Sequence, residues 1–162
     1  MVYFIVEDHM HEALLRAFQI HEKRINPVGS VSQVISALKN QERNSDKTII
    51  GMVDEDKNNA YDFLGHIPVL DTPDDLIIKQ KKDLKHYFLI LKPAVEKWIW
   101  NACEGERING FPRDYESLKD LKGKLPANTM AELVRRLKKL KKKGSVQFTC
   151  FGGFLSSLSK TH

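Results

Sequence analysis

Residues 49–53, Ile-Ile-Gly-Met-Val, form an unbroken apolar run that stops at three consecutive acids, Asp54, Glu55 and Asp56, followed by Lys57-Asn58-Asn59. A short apolar run bounded by polar residues reads as a strand buried on both faces, as in a parallel sheet covered by helices. Such a strand needs helical layers on both sides, so the run points to an α/β fold. In open α/β sheets the chemistry lies just beyond the carboxyl ends of the strands, which is where these acids fall. In an extended segment alternate residues share a face, so Asp54 and Asp56 point the same way, about 6 to 7 Å apart at Cα. Two like charges at that spacing repel unless a cation lies between them. A hard divalent ion taking oxygen ligands, Mg²⁺ or Mn²⁺, is the economical choice. An acidic turn is the competing reading of an isolated Asp-x-Asp, and the N-terminus bears on the choice between them.

There, Val2 to Val6 is β-branched, aromatic and almost wholly apolar, and reads as a first strand ending at Glu7-Asp8-His9. Leu14, Leu15 and Phe18, with His21, fall on one face of a helix expected from about His11 to Glu22. Asn26-Pro27-Val28-Gly29 is a short extended piece. Ser30 can cap a second helix with Val34, Ile35 and Leu38 as its buried stripe, stopping near Asn40, and Asn44-Ser45-Asp46 turns into the central strand. Beyond the acids, Leu64 to Leu70 reads as a loop. Leu76-Ile77-Ile78 and Tyr87 to Leu91 read as an edge hairpin or staggered pair. Pro93 suits a first helical position, before a helix with Val95, Trp98, Ile99 and Ala102 as its core face and Glu96 in its first turn. Gly105 to Pro112 reads as a loop and Tyr115 to Leu121 as a short helix. Thr129 opens the clearest amphipathic stretch, with Met130, Leu133, Val134, Leu137 and Leu140 as one stripe and Gly144 as its stop. Val146-Gln147-Phe148 reads as extended and Phe151 to Leu158 as a final helix.

At 162 residues the chain can bury a conventional core without disulfides or a structural metal. Its 41% hydrophobic and 29% charged residues are those of a globular protein, and no apolar stretch approaches the ~20 residues that span a bilayer. Residues 1–6 are too short for a secretory signal, so the expectation is a cytoplasmic protein with no membrane partner. Cys103 and Cys150 lack metal-ligand spacing and read as buried free thiols. Residues 119–143 hold ten Lys/Arg against two acids, a local +8 in a chain of +5, so the remaining residues carry −3. Such a block is either an electrostatic footprint for nucleic acid or a solvated helix face. Arg135, Arg136, Lys138, Lys139, Lys142 and Lys143 are its candidate phosphate contacts.

If the first strand and the Ile49 strand are neighbours in a parallel sheet, Glu7 lies at the same carboxyl edge as Asp54 and Asp56, and Glu96 could reach it. Converging acids can hold divalent cations and leave a carboxylate to move a proton, the equipment for metal-assisted phosphodiester chemistry. As a first-turn helix acid Glu96 also balances the helix dipole. His9 and His11 read as loop histidines, solvated or capping the next helix, with orienting a phosphate or water as the functional alternative. Trp98 and Trp100 read as core and rim of one helix.

The order Phe4-Ile5-Val6-Glu7, helix, second unit, then Met52-Val53-Asp54-Glu55-Asp56 resembles the TOPRIM domain of topoisomerases, primases and OLD-type nucleases. The stretch Leu91-Lys92-Pro93-Ala94-Val95-Glu96 is similar to a segment of small TOPRIM-like proteins related to the OLD nucleases. The resemblance covers roughly residues 2–103 and implies a doubly wound, mostly parallel α/β core, 1–103; the rest, 104–162, reads from its own pattern as a basic helical segment packed on that core. It implies a Mg²⁺- or Mn²⁺-dependent nuclease acting on DNA or RNA, with Glu7 as general acid/base, Asp54 and Asp56 as metal ligands, and Glu96 as an extra ligand or supporting acid. An ATPase or other protein subunit is the partner such nucleases often use. Asp8 stands where that family usually has Gly. Ile5-Val6-Glu7-Asp8-His9 also looks like the first strand of a response-regulator receiver, with Asp54 as phospho-acceptor and Lys92 before Pro93. That reading makes the chain a signalling or interaction module and gives Asp56 no role.

Overall fold

The computed structural model describes residues 1–43, 46–55, 64–73, 75–104 and 115–160. Asn44, Ser45, Asp56 to Asn59, Asp74 and the expected loop Gly105 to Pro112 lie outside the described residues. The strands are β1 (Val2–Val6), β2 (Ile25–Pro27), β3 (Thr48–Asp54), β4 (Val69–Asp71), β5 (Leu76–Gln80) and β6 (His86–Leu91). They form one six-stranded sheet in the order β2-β1-β3-β6-β5-β4. The β2-β1-β3-β6 portion is parallel, and β5 and β4 close that side antiparallel. The helices are α1 (His9–Ala17), α2 (Val31–Asn40), α3 (Val95–Glu104), α4 (Leu118–Lys124), α5 (Met130–Lys143) and α6 (Val146–Lys160). None of the described helices is long and apolar enough to cross a membrane.

The fold is a doubly wound α/β sheet with a C-terminal helical segment, and the side-chain alternation shows why. All seven residues of β3 are buried. Ile50 and Met52 point into a core shared with α1, α3, α4, α5 and α6, whereas Ile49 and Val53 point into a second core built on α2, Leu64 and Ile67. In β6, Leu89 and Leu91 face the first core, and Phe88 and Ile90 the second. A strand buried on both faces cannot alternate apolar with polar residues, which is the pattern from which it was read. Gly51 faces α2, where a Cβ would press on Leu38 and lie 3.0 Å from Val34 Cγ1, so the helix sits directly on the strand backbone.

Helix ends follow local chemistry. Asp8, Ser30 and Ser117 cap α1, α2 and α4. Thr129 and Glu132 form a reciprocal capping box at the start of α5, and Gly144 ends it in the left-handed conformation at φ 73°. Several expectations need correction. Helix α1 stops at Ala17 instead of Glu22, and His21 is exposed, capping a separate single turn over Glu22–Arg24. Pro93 is not at a first helical position; it follows a cis Lys92-Pro93 peptide, two residues ahead of Val95. Strand β5 is not an edge, since β4 covers it. Val146 to Phe148 are not extended but form the first turn of α6, which runs unbroken through Gly152-Gly153. Phe148 and Phe151 there pack on Trp98 and Phe18, and that burial outweighs the weak helix preference of the glycines. Cys103 is buried as read, but Cys150 is only half-buried.

Candidate metal centre and basic face

The chain leaves β1, crosses through α1 to β2 on one side, and returns through α2 to β3 on the other. The carboxyl ends of β1 and β3 therefore flank the point where strand order reverses, the usual ligand crevice of a doubly wound sheet. Register brings the acids there together. Val6 pairs with Met52, and Glu7 N–H donates to Met52 O at 3.1 Å, so Glu7 is the first residue past β1 and stands beside the end of β3. Asp54 N–H in turn donates to Glu7 Oε2 at 3.2 Å. Glu7 and Asp54 are 1% and 3% exposed.

Between the acids lies a residue that the strand-end argument did not place. His11 is fully buried, with Nδ1 2.8 Å from Asp8 Oδ1 and Nε2 3.0 Å from Asp54 Oδ1. The expectation of a solvated or capping loop histidine is corrected for His11; His9 is exposed, but it opens α1 behind the Asp8 cap and is not in a loop. Burial by itself would pull the imidazolium down, but the hydrogen bonds and charges of Asp54 and Asp8 overcome it and hold His11 up to about 10. Burial likewise pushes the Asp8 carboxyl up. The His11 ring, with the backbone N–H groups of His11 and Met10, holds it instead far below the usual carboxylate range. With Nδ1 facing Asp8 and Nε2 facing Asp54, the ring when protonated is an internal counter-ion for the acids. A signal for it was present: His11, Leu14, Leu15 and Phe18 follow the i, i+3, i+4, i+7 spacing of a buried helical stripe.

The first turn of α3 closes the site. Val95 N–H donates to Asp54 Oδ1 at 2.9 Å, a backbone contribution no side-chain motif announces. Glu96 follows, half-buried. Burial raises its pKa, and the nearby charges of Asp54 and Asp8 raise it further. Asp56, the second acid of the Asp-x-Asp, lies outside the described residues, and β3 ends at Asp54. The donor set could hold a metal ion, because one ligand atom each from Glu7, His11 and Asp54 lies within 4.8 Å of the others. The structure does not identify which metal the cluster would hold.

The basic segment occupies another part of the surface. Leu133, Leu137 and Leu140 bury one face of α5 in the first core. Arg135, Lys138, Lys139, Lys142 and Lys143 are exposed on α5, and Arg136 is half-buried. Arg16 of α1 joins Arg135, Lys138, Lys139 and Lys142 around a groove of about 780 Å³ floored by Met130, Ala131 and Val134. Lys141 Nζ sits 4.8 Å over the Phe18 ring, so α5 meets the end of α1 opposite the acids. From Asp8 to Arg16, α1 rises about 12 Å.

No family model, no curated protein and no solved structure matches this chain.

Proposed function

We propose that the chain is a divalent-metal-dependent nuclease, or nuclease subunit, of TOPRIM/OLD-like type acting on DNA or RNA phosphodiesters. The observation that carries this reading is the convergence of Glu7 and Asp54 beside the strand-order reversal, with a donor set suited to a divalent ion. In this reading Asp54, with Asp56 and Glu96, holds Mg²⁺ or Mn²⁺. When bound, such an ion would supply Lewis-acid polarisation of a phosphate and a more acidic attacking water. Glu7 accepts the proton of that water, its carboxylate held in place by the Asp54 N–H. Val95 N–H fixes the Asp54 carboxylate so that its orientation does not have to be found at each turnover. The cations of Arg135, Lys138, Lys139 and Lys142 offset the repulsion that a buried acidic centre exerts on a polyanion. The roughly 12 Å along α1 is a span that a short oligonucleotide covers.

The receiver-like alternative calls for a lysine amine on the acceptor carboxylate of Asp54. Lys92 Nζ lies 4.0 Å from Glu55 Oε2, and Asp54 Oδ1 already accepts from Val95 N–H and faces His11 Nε2. The test is titration calorimetry with Mg²⁺ and Mn²⁺, followed by cleavage of labelled single- and double-stranded oligonucleotides. We expect Glu7→Gln to keep metal binding and lose turnover by about 10²- to 10⁴-fold. Absence of divalent-ion binding at millimolar metal refutes the reading.

A further inference from the structure

The arrangement around His11 has a second use, which rests on the divalent-metal reading above. We infer that His11 Nε2 is itself a metal ligand beside Asp54 Oδ1, so that the centre is a mixed nitrogen and oxygen site selecting first-row transition ions over Mg²⁺. Adjacent ligands on an octahedral ion with bonds of about 2.1 Å are separated by about 3.0 Å. The separation of Nε2 from Asp54 Oδ1 is 3.0 Å. Opposite ligands on the same ion are about 4.2 Å apart, and the Glu7, His11 and Asp54 ligand atoms lie within 4.8 Å of one another. His11 Nε2 and Asp54 Oδ1 therefore fit one ion as they stand, and Glu7 lies close enough beside it to take a proton from a bound water.

The surroundings of the ring are those of a metal-bound histidine. Such a ring donates its other N–H to a carboxylate, which sets the tautomer and strengthens the ligand. Asp8 Oδ1 stands 2.8 Å from His11 Nδ1 for that purpose, and Asp8 is itself held as the cap of α1 by Met10 N–H at 2.9 Å and His11 N–H at 3.3 Å. With Nδ1 committed to Asp8, the lone pair available to an ion is on Nε2, facing Asp54 and shielded from bulk water in a fully buried ring. An ion on Nε2 displaces any proton there to solvent and stands beside Asp54 Oδ1. Imidazole favours the later first-row ions, whereas Mg²⁺ prefers oxygen ligands and keeps several waters. Mn²⁺ binds weakest of that series and serves as the spectroscopic probe.

The experiment is pulsed electron paramagnetic resonance of the full chain loaded with Mn²⁺, with and without ¹⁵N-histidine labelling. We expect a ¹⁴N modulation that becomes ¹⁵N on labelling, is lost in His11→Gln and is kept in His9→Gln. If His11→Gln does not fold, the label read in the unmodified chain still tests for a histidine ligand, and coupling kept in His9→Gln excludes the other histidine at this strand edge. Asp8→Asn retains a good helix cap and should weaken Mn²⁺ binding about 10- to 100-fold. His11→Gln, if folded, should weaken Mn²⁺ binding at least about 10-fold, comparable to loss of a supporting contact, and Mg²⁺ binding far less. Mn²⁺ bound without nitrogen coupling, or coupling lost only in His9→Gln, overturns this inference and leaves the metal reading standing. No bound Mn²⁺ at millimolar concentration overturns both. Nitrogen coupling in a protein that cleaves no nucleic acid supports the inference and removes the nuclease.

Discussion

Replacing Asp54 with Asn in the metal-free protein asks which force dominates the buried cluster. The change removes the attraction between Asp54 and the His11 imidazolium at 3.0 Å and also the repulsion between Asp54 and Glu7, whose ligand atoms lie within 4.8 Å. With an effective dielectric of about 20, the attraction is about 5.5 kcal/mol and the repulsion at that outer distance about 3.5 kcal/mol. The margin of about 2 kcal/mol favours the native acid. Asn keeps one oxygen for Val95 N–H, so that hydrogen bond weakens without being lost. The expected net cost of about 2 to 3 kcal/mol stays below the 3 to 5 kcal/mol of an uncompensated buried charge, because Asp8 still neutralises His11. At 162 residues this corresponds to a fall in Tm of about 4 to 12 °C. Urea and thermal unfolding in a chelator at pH 7 measure it. The sign with pH follows from His11, held up to about 10 from 6.5. A group raised on folding contributes fully below its unfolded pKa and loses that contribution as pH climbs through its folded one. The gap between wild type and Asp54→Asn should therefore narrow as pH rises from 6.5 to 10. Glu7→Gln relieves the same repulsion but also gives up an attraction of comparable size to His11, which lies within the same 4.8 Å, and should be close to neutral. A metal-free Asp54→Asn protein at least as stable as wild type would show that repulsion between the acids prevails and that His11 is not their counter-ion.

Three further outcomes can be checked. Leu137 is 1% exposed and joins α5 to the core that contains α1 and α3, so Leu137→Ala should cost about 2 to 5 kcal/mol. One cooperative unfolding transition shifted as a whole shows that the C-terminal helices and the sheet unfold together, and two separated transitions show that they do not. Changing Lys138, Lys139, Lys142 and Lys143 to Gln should leave folding intact and reduce the salt slope of DNA binding by up to about four units, read by filter binding at several salt concentrations. An unchanged slope would assign the block to solubility or to a protein partner. His86 is buried at the start of β6, and burial, followed by the nearby Lys81 charge, lowers its pKa from 6.5. A histidine depressed on folding makes its full contribution above 6.5 and loses it as pH falls. Stability measured by urea unfolding should therefore decline on acidification below that value, and His86→Gln should decline less.

Much of the fold was legible before any coordinates, for local reasons. Val2 to Val6 and the run ending at Asp54 are strands because β-branched and apolar residues without polar alternation fit only a sheet buried on both faces. Ser30, Thr129 and Gly144 marked helix ends because capping satisfies backbone groups within one turn and needs no distant partner. The meeting of Glu7 and Asp54 could also be anticipated, since parallel neighbours end at the same edge. Other features had no local cause. Val146 to Phe148 became helical because Phe148 and Phe151 had aromatic partners on α1's end and α3, which local propensity cannot report. The backbone N–H of Val95 reached Asp54 because β6 pairs with β3 and delivers α3 to its end. The sequence by itself therefore determined the strands, the caps and the acids at the sheet edge, through periodicity and short-range hydrogen bonding. Tertiary structure alone decided that His11 would lie between Asp8 and Asp54, because burying a charge requires partners brought from 43 residues away, and only the assembled sheet puts them within 3.0 Å.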